Sequence, residues 1–195
     1  MAYEEFKASG ITAKTPNEIL LGAGTIHKNL ALTSGTWNFA ESLIGATAGG
    51  NKLSIKRETL NVEPDGAIVK VKGLEFKVGE TATLEVNLLE LNKDNVKLLT
   101  GAEQKQTSGY EGYDELISKS QIATGDYLEN FAFVGKRTDG TPIIVIFENA
   151  LCTSGLDIDA KNKENSTFPA TFECYAGLSD SPDKLPWHIL FPSEG

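Results

Sequence analysis

The 195-residue chain contains few of the residue types on which disulfide-rich, metal-binding and many catalytic proteins depend: two cysteines, two histidines and one methionine. Cys152 and Cys174 are too few for a disulfide framework and lack metal-site spacing, so we expect both to be buried, reduced thiols. His27 and His188 lie far apart, and neither has a nucleophile or a metal-ligand pattern beside it. The sequence therefore predicts no catalytic residue and no metal ligand.

Long apolar runs and basic clusters are also missing. The longest apolar run, residues 143–147, has the length of a strand and is too short to span a membrane. The start of the chain, MAYEEFKASG, lacks the basic and apolar regions of a signal peptide, so we expect a protein that stays in cytosol-like conditions without a membrane partner. The net charge of −9, with no basic run longer than a pair, argues against ordinary nucleic-acid binding.

Short fragments of cofactor motifs are incomplete. Gly22 and Gly24 begin a dinucleotide fingerprint, but His27 replaces the third glycine. Asp157 begins a calcium-loop pattern that ends at Lys161, a residue that cannot bind a cation. Nothing in the arrangement of Asp and Glu suggests a catalytic pair. We therefore predict no cofactor, and we expect that the protein is not an enzyme.

The chain consists mainly of strand-sized patterns separated by turn residues. Strands are predicted at residues 17–30, 53–62, 67–78, 81–91, 113–118, 130–138, 142–152, 156–161, 167–175 and 187–191. Tight turns are expected at residues 64–66 and 138–141, and the segments 156–161 and 167–175 are expected to pair. This pattern predicts a mainly β (α+β) fold, a β-sandwich or open barrel with one short flanking helix, in a single domain of residues 1–195.

Residues 79–101 combine two periodicities. From residue 81 onward, apolar and polar side chains alternate with period two, which is typical of a half-buried strand. The apolar residues are Ala82, Leu84, Val86 and Leu88, and the polar residues between them are Thr81, Thr83, Glu85 and Asn87. Asn92 then provides an N-cap and Gly101 a C-terminal stop for a helix of about two turns, which must lie against a sheet to be stable.

Residues 31–51 form a long segment without a regular pattern. A loop longer than about 12–15 residues in a compact domain is usually functional or disordered. The apolar side chains of this loop, namely Trp37, Phe39, Leu43 and Ile44, argue against disorder. We therefore expect an ordered, functional loop.

Several segments together resemble a known family. They are NEILLGAGTIHKNL, LIGATAGGNKLSIKRETLNVEPDG, VKGLEFKVGETATLEVNLLELNKDNVKLLTG and PIIVIFENALCTSGLDIDAKNKENSTFPATFECYAG, in this order over most of the chain. In combination they resemble the tail tube (major tail) proteins of long-tailed bacteriophages, particularly those of phages and prophages of Gram-positive bacteria.

The resemblance implies a tail-tube fold and a structural role in the virion. It implies that subunits are made in the bacterial host cytoplasm, form hexameric rings with a shared inner β-barrel, and stack into a tube that conducts DNA during ejection without binding it specifically. The implied partners are other copies of the chain and the tail-tip initiator, tape-measure and tail terminator proteins. Two alternatives remain open: the tube of a DNA-free phage-like injection particle, and a monomeric β-sandwich module that binds a small ligand or carbohydrate.

The resemblance also suggests roles for particular residues. Candidates that face the lumen are Thr81, Thr83, Glu85, Asn87, Asp157, Asp159, Thr171 and Glu173. The alternative is that these polar rows face the outside solvent. Candidates for contact with a neighbouring subunit are Trp37, Phe39, Leu43 and Ile44, unless their loop folds over its own core. A C-terminal tail, residues 182–195, is expected to become ordered on stacking.

Overall fold

The computed structural model describes residues 9–193 of the chain. Eleven strands occur within them: β1 (Leu20–His27), β2 (Leu32–Thr33), β3 (Thr36–Trp37), β4 (Lys52–Asn61), β5 (Glu75–Leu88), β6 (Glu103–Gln104), β7 (Leu116–Ile117), β8 (Leu128–Arg137), β9 (Pro142–Cys152), β10 (Phe168–Cys174) and β11 (Trp187–Leu190). The helices are α1 (Thr15–Glu18), α2 (Phe39–Ser42) and α3 (Lys93–Thr100), with one 3-10 turn at Thr124–Asp126. None of these helices is long and apolar enough to cross a membrane.

Seven strands form one antiparallel sheet that folds over itself. The strand order is β1-β8-β9-β10-β5-β4, and β11 pairs with β9. Phe131 of β8 and Phe172 of β10 are separated by β9 in this order, yet their ring centroids are 4.2 Å apart. The β4–β5–β10 layer therefore packs against the β8–β9 region. The end strands β1 and β4 are not paired with each other, so the predicted β-sandwich is confirmed and the barrel is not closed.

The core lies between these layers. Phe131, Phe147 and Phe172 are its largest fully buried side chains. A second, smaller cluster lies on the other side of β8 and β9, where residues from the 31–51 loop cover Ala132 and Ile146. Strands β8 and β9 are therefore covered by apolar side chains on both faces, as their nearly continuous apolar sequence requires.

One strand replaces two that the sequence analysis predicted. The segments 67–78 and 81–91 were expected to be separate strands, but β5 continues through Gly79, which lies between them and pairs with Glu58 of β4. A Cβ at Gly79 would lie 2.7 Å from the Glu58 carboxylate, so the glycine permits a close cross-strand approach instead of a turn. Residues 62–74 form the connection between β4 and β5.

The predicted pairing of residues 156–161 with residues 167–175 is wrong. Residues 153–167 contain no strand, and β10 lies between β5 and β9. Period-two alternation identified β10 correctly, but it was equally present in a segment that has no neighbouring strand to pair with. The predicted strand at 113–118 is likewise reduced to the two residues of β7.

The predicted helix and hairpin are confirmed. Asn92 accepts a hydrogen bond from the Asn95 backbone amide at the start of α3, and Gly101 ends the helix in the left-handed conformation with φ of 63°. The β8–β9 turn closes with a 2.9 Å hydrogen bond from the Arg137 amide to the Thr141 carbonyl. The terminal strand also forms, as β11 within the predicted tail, so residues 187–190 of that tail already have a strand partner.

Candidate functional site: the polar face of the β4–β5–β10 layer

The alternation of β5 separates a buried face from a polar one. Ala82, Leu84, Val86 and Leu88 are at most 2% exposed and belong to the core. The residues between them are half-buried on the other face of the strand: Thr81, Thr83, Glu85 and Asn87. Side chains on successive strand positions point to opposite faces, so the sequence pattern alone predicted this division.

Pairing with β10 extends the polar face to a second strand. Glu85 lies opposite Thr171, and Thr83 lies opposite Glu173. Residues directly opposite each other in an antiparallel pair share a face of the sheet. The structure therefore places six of the eight lumen candidates on one continuous surface. That this face lines the lumen of an assembly stays a prediction.

Strand β4 adds basic residues that the sequence analysis did not include. Lys52 lies opposite Glu85, and Lys56 lies opposite Thr81. The Lys52 Nζ atom is 2.6 Å from Glu85 Oε1. The alternation of β4, with Leu53 and Ile55 packed against the core, could have identified these lysines. With Glu58, which lies opposite Gly79, the polar face thus carries two lysines and three glutamates.

Asp157 and Asp159 are placed differently from the other candidates. Both lie in the irregular segment 153–167 and not on a strand. Asp157 borders a groove of about 510 Å³ together with Glu85 and Thr171, so it lies beside the polar face. Asp159 forms an exposed ion pair of 2.9 Å with Lys161.

The 31–51 loop is attached to its own subunit. Trp37 and Phe39 stack with ring centroids 6.2 Å apart and pack against the small apolar cluster on β8 and β9. Ile44 joins the main core, whereas Leu43 is 45% exposed. Trp37, Phe39 and Ile44 therefore anchor the loop, and Leu43 has the largest exposed fraction among the four candidates.

A buried histidine holds this loop against β1. The His27 imidazole is 2.8 Å from Thr25 Oγ1 through Nε2 and 2.9 Å from Ser42 Oγ through Nδ1. Because the Ser42 hydroxyl donates to the Asn38 carbonyl, it accepts from Nδ1–H, which leaves Nε2 to accept from Thr25. Burial lowers the pKa of His27, partly opposed by a hydrogen bond with the Phe39 backbone. The ring is therefore held in its neutral form.

The cysteines are free thiols. Cys174 is buried and Cys152 is partly buried. Burial, reinforced by the charges of Glu148, Glu80 and Glu173, raises the pKa of Cys174 to about 12. This thiol stays protonated at neutral pH and is a poor nucleophile. Within residues 9–193, no three His, Cys, Asp or Glu side chains lie close enough together to hold a metal ion.

The sheet leaves a long edge strand open. Strand β4 is ten residues long and, within the described chain, pairs along one side with β5. Unpaired strand edges recruit other strands, and proteins normally cover or shorten them. The polar face therefore ends at an edge that can accept a strand from another molecule.

Comparison with known proteins assigns the chain to a family. A model of the phage tail tube protein family matches residues 23–187, from within β1 to the first residue of β11. No curated protein matches the chain. A chain from a solved structure described as the virion of a native gene transfer agent particle is similar with 12% identity and a TM-score of 0.41, over 80% of this chain and 92% of that chain. Because the family match covers most of its length, this chain belongs to the phage tail tube protein family and is a structural component of the virion tail tube.

Proposed function

We propose that the chain assembles into hexameric rings that stack into a hollow tube, and that phage DNA passes through this tube during ejection. The observation that carries the proposal is the polar face of the β4–β5–β10 layer, which is opposite the core and ends at a free edge. In the proposed assembly this face lines the bore. The role is structural and involves no catalysis.

The chemistry of the face suits a conduit for DNA. Hydroxyl and amide groups, such as those of Thr83 and Asn87, make the surface wettable. The charges of Lys52 and Glu85 are paired with each other, so the face presents little net positive charge to phosphate. Since duplex DNA carries one charge per about 1.7 Å, a basic lining would hold it through many simultaneous contacts. A face without an excess of positive charge lets DNA slide.

The free edge of β4 provides a way to close the ring. Pairing of this edge with a strand of the next copy would continue the sheet around the bore and would leave no open edge. Leu43, on the 31–51 loop, adds an exposed apolar contact for a neighbour, while Trp37 and Phe39 hold the loop in position. Ring formation therefore satisfies backbone groups that a monomer exposes to solvent.

Open-ended stacking requires other proteins to set the length of the tube. A contact between two different surfaces, repeated along an axis, has no intrinsic end point. The proposed partners are accordingly a tail-tip initiator, a tape-measure protein and a tail terminator. These partners follow from the assembly itself and from the family.

The ligand-binding module is less well supported by the arrangement of aromatic residues. Such a module needs exposed aromatic side chains that converge on one concave site. The most exposed aromatic residues of the described chain lie on three different elements: Tyr110 and Tyr113 between β6 and β7, Phe76 on β5, and Phe191 after β11. Tyr110 and Tyr113 border one groove, but Phe76 and Phe191 do not line it, and such a distribution is more typical of contacts spread along an assembly.

Negative-stain electron microscopy of the concentrated protein, combined with its mass in solution, tests the proposal. We expect hollow tubes or rings, with a ring mass six times that of the 21.0 kDa chain. If the protein stays a monomer on its own, the same measurement is repeated with the tail-tip initiator. A monomer that persists in both experiments contradicts the proposed function.

A further inference from the structure

The segment of the chain between α3 and β8 forms a separate loop on the surface. Residues 102–127 leave the sandwich after α3 and return to it at β8, and the two-residue strands β6 and β7 pair within this segment. The Lys105 amide donates a 2.9 Å hydrogen bond to the Glu115 carbonyl, which continues the ladder between them. We define the tyrosine loop as residues 105–115, the part of the segment that this ladder closes.

Two carboxylates hold the tyrosine loop in one shape. Glu115 Oε2 accepts a 2.9 Å hydrogen bond from the Gly109 amide and is 3.1 Å from Lys105 Nζ. These bonds, that of Gly109 first, lower the pKa of the Glu115 carboxyl. Asp114 Oδ2 is 2.6 Å from Lys93 Nζ of α3, so the second carboxylate fastens the loop to the helix. The loop is therefore preorganised, and a ligand that binds to it has little ordering cost to overcome.

A tight turn in the tyrosine loop brings two tyrosines to one groove. The Tyr113 amide donates a 3.2 Å hydrogen bond to the Tyr110 carbonyl, and Gly112, the third residue of the turn, has φ of 80°. A positive φ at this position is what a type II turn requires. The groove has a volume of about 420 Å³ and is lined by Tyr110, Tyr113, Asp114, Glu115 and Leu116. The turn therefore supplies two aromatic side chains to the lining of a small groove.

The core of the molecule does not use these two rings. Tyr110 is 68% exposed and Tyr113 is 76% exposed, and neither belongs to the apolar clusters of the core. Single exposed apolar residues are common and need no explanation. Tyrosine, however, offers a large and rigid contact surface at a low cost in conformational entropy, which is why binding loops are rich in it. Two exposed tyrosines at one groove of a preorganised loop are thus typical of a binding site.

The charge of this region favours a cationic ligand. Residues 102–116 contain four acidic residues and one lysine: Glu103, Glu111, Asp114, Glu115 and Lys105. Lys93 and Lys105 match the charges of Asp114 and Glu115. Glu111, which lies between the two tyrosines in the turn, is exposed and forms no ion pair among residues 9–193. One turn therefore carries two aromatic rings and a carboxylate whose charge is not matched.

This combination of groups is suited to a basic side chain. A guanidinium or ammonium group is attracted to the face of a tyrosine ring, and a nearby carboxylate adds to the attraction. Guanidinium groups also stack flat on aromatic rings, so arginine is favoured over lysine. The aliphatic part of the arginine side chain can pack against Leu116, which also lines the groove.

We propose that the groove lined by Tyr110 and Tyr113 binds an arginine side chain from a basic segment of another protein. A second copy of this chain is a poor occupant, because each copy carries a net charge of −9. The groove shares no lining residue with the groove beside the polar face, so it lies outside the surface proposed to line the bore. The site does not depend on assembly. In the proposed tube every subunit presents it, and weak contacts with a partner that carries several arginines add up.

Titration of the isotope-labelled full chain with a blocked tetra-arginine peptide tests the site by NMR. We expect saturable shifts of amide resonances concentrated in residues 108–116, and no shifts with tetra-glutamate. Binding is expected to weaken as salt is added, because exposed charges are screened. Shifts spread evenly over the acidic surface overturn the inference, since they show attraction by net charge alone. Shifts of the same resonances at a lower concentration of cellotetraose, a neutral carbohydrate, also overturn it, because they assign the groove to another class of ligand.

Matched variants separate the contribution of the rings from that of the charge. Tyr110→Ala/Tyr113→Ala is expected to raise the dissociation constant for tetra-arginine by about fivefold or more, whereas Tyr110→Phe/Tyr113→Phe keeps the ring faces and is expected to change it by less than about twofold. Glu111→Gln is expected to raise it by about two- to fivefold, and Glu164→Gln, at an exposed carboxylate outside the loop, is the control. Unchanged melting temperatures show that the variants fold. Equal affinity of the wild type and the alanine variant contradicts the site.

Assembled tubes provide a separate measurement. Labelled tetra-arginine is expected to co-sediment with wild-type tubes and much less with tubes of Tyr110→Ala/Tyr113→Ala. If the monomer binds the peptide but wild-type tubes do not, a neighbouring copy covers the groove, and the inference is overturned while the proposed function stands. A chain that forms no tubes, alone or with the initiator, contradicts the proposed function only, because the NMR titration still decides the site.

Discussion

Lys52 of β4 and Glu85 of β5 lie directly opposite each other on the polar face, with Nζ 2.6 Å from Oε1. The alternation along β5 placed Glu85 among the candidates that face the lumen and identified no partner for its charge. The structure shows that a lysine from the neighbouring strand matches its charge. The local surface is therefore close to neutral. Replacing Glu85 by a lysine makes this point positive, and replacing Lys52 by a glutamate makes it negative.

Charge reversal at Glu85 tests whether this face meets DNA. Glu85→Lys is expected to leave assembly intact and to make the tubes retain DNA, because it places two adjacent lysines in every copy. The measurement is co-sedimentation of labelled DNA with assembled tubes, and binding is expected to weaken steeply with added salt. The double variant Lys52→Glu/Glu85→Lys restores the balance and serves as the control. Tubes of Glu85→Lys that retain no more DNA than wild type would remove Glu85 from the lining.

The neutral state of His27 predicts a dependence of stability on pH. Burial lowers the pKa of His27 in the folded state, so the unfolded state binds more protons as the pH falls. The stabilisation is therefore fully present above the unfolded pKa of about 6.5 and is lost as the pH falls from there through the folded pKa. Carboxylates such as Glu80, whose pKa is lowered mainly by a hydrogen bond from Lys77, lose their contribution in a more acidic range.

Urea unfolding between pH 7 and pH 5 measures this effect. The free energy of unfolding of the wild type is expected to fall across this range, and His27→Gln is expected to flatten the slope. His188→Asn serves as the comparison, because it removes the other imidazole of the chain at a side chain that is 52% exposed. An equal slope in wild type and His27→Gln would assign the pH dependence to other groups.

Because Phe172 joins the two layers of the sandwich, we expect a large loss of stability when its side chain is truncated. Phe172 is fully buried and its ring lies against that of Phe131. Phe172→Ala removes apolar contacts and leaves a cavity, which is expected to cost about 3–5 kcal/mol of unfolding free energy. Chemical denaturation provides the measurement. Leu178→Ala, at a fully exposed position, is expected to change stability by less than about 0.5 kcal/mol, and a similar loss in both variants would contradict the assigned core.

Substitutions at two glycines of β1 allow the cost of backbone strain and the cost of steric overlap to be measured separately. Gly22 and Gly24 both have positive φ, at 81° and 69°. A Cβ at Gly22 meets no atom within 4 Å, whereas a Cβ at Gly24 would lie 2.3 Å from the Phe133 ring. Gly22→Ala is expected to cost about 1–2 kcal/mol through strain. Gly24→Ala is expected to cost about 1–3 kcal/mol more, because the ring must move and the Cβ would also lie 2.8 Å from the Val134 carbonyl oxygen. Equal losses of unfolding free energy for the two variants, in thermal or urea unfolding, would show that the neighbours of Gly24 move aside at little cost.

Local patterns in the sequence predicted several elements correctly. The alternation in β5 identified its buried and polar faces, because side chains of a strand point alternately to opposite sides. Asn92 and Gly101 marked the ends of α3, because a side-chain cap and a left-handed residue satisfy the free backbone groups of a helix. Gly22 and Gly24 lie between Leu21 and Thr25, where the register of pairing between β1 and β8 shifts, as is common at glycines inside a strand.

Pairing between distant segments was not predictable in the same way. Residues 156–161 alternate like a strand but pair with no strand among residues 9–193, while residues 67–74 are largely apolar yet lie in the connection between β4 and β5. The two lysines of the polar face were predictable in principle, because the inward positions of Leu53 and Ile55 imply that Lys52 and Lys56 point to the opposite face.

By itself, the sequence determined the mainly β fold class, the two faces of β5, the capped helix and the resemblance to tail tube proteins. These features depend on periodicity, on local backbone preferences and on the order of segments along the chain. The tertiary structure decided that β10 lies beside β5, that Lys52 is paired with Glu85, and that β5 continues through Gly79. Each of these depends on which remote segments compete for the same strand edge or core surface, and that competition is settled only when the whole chain folds.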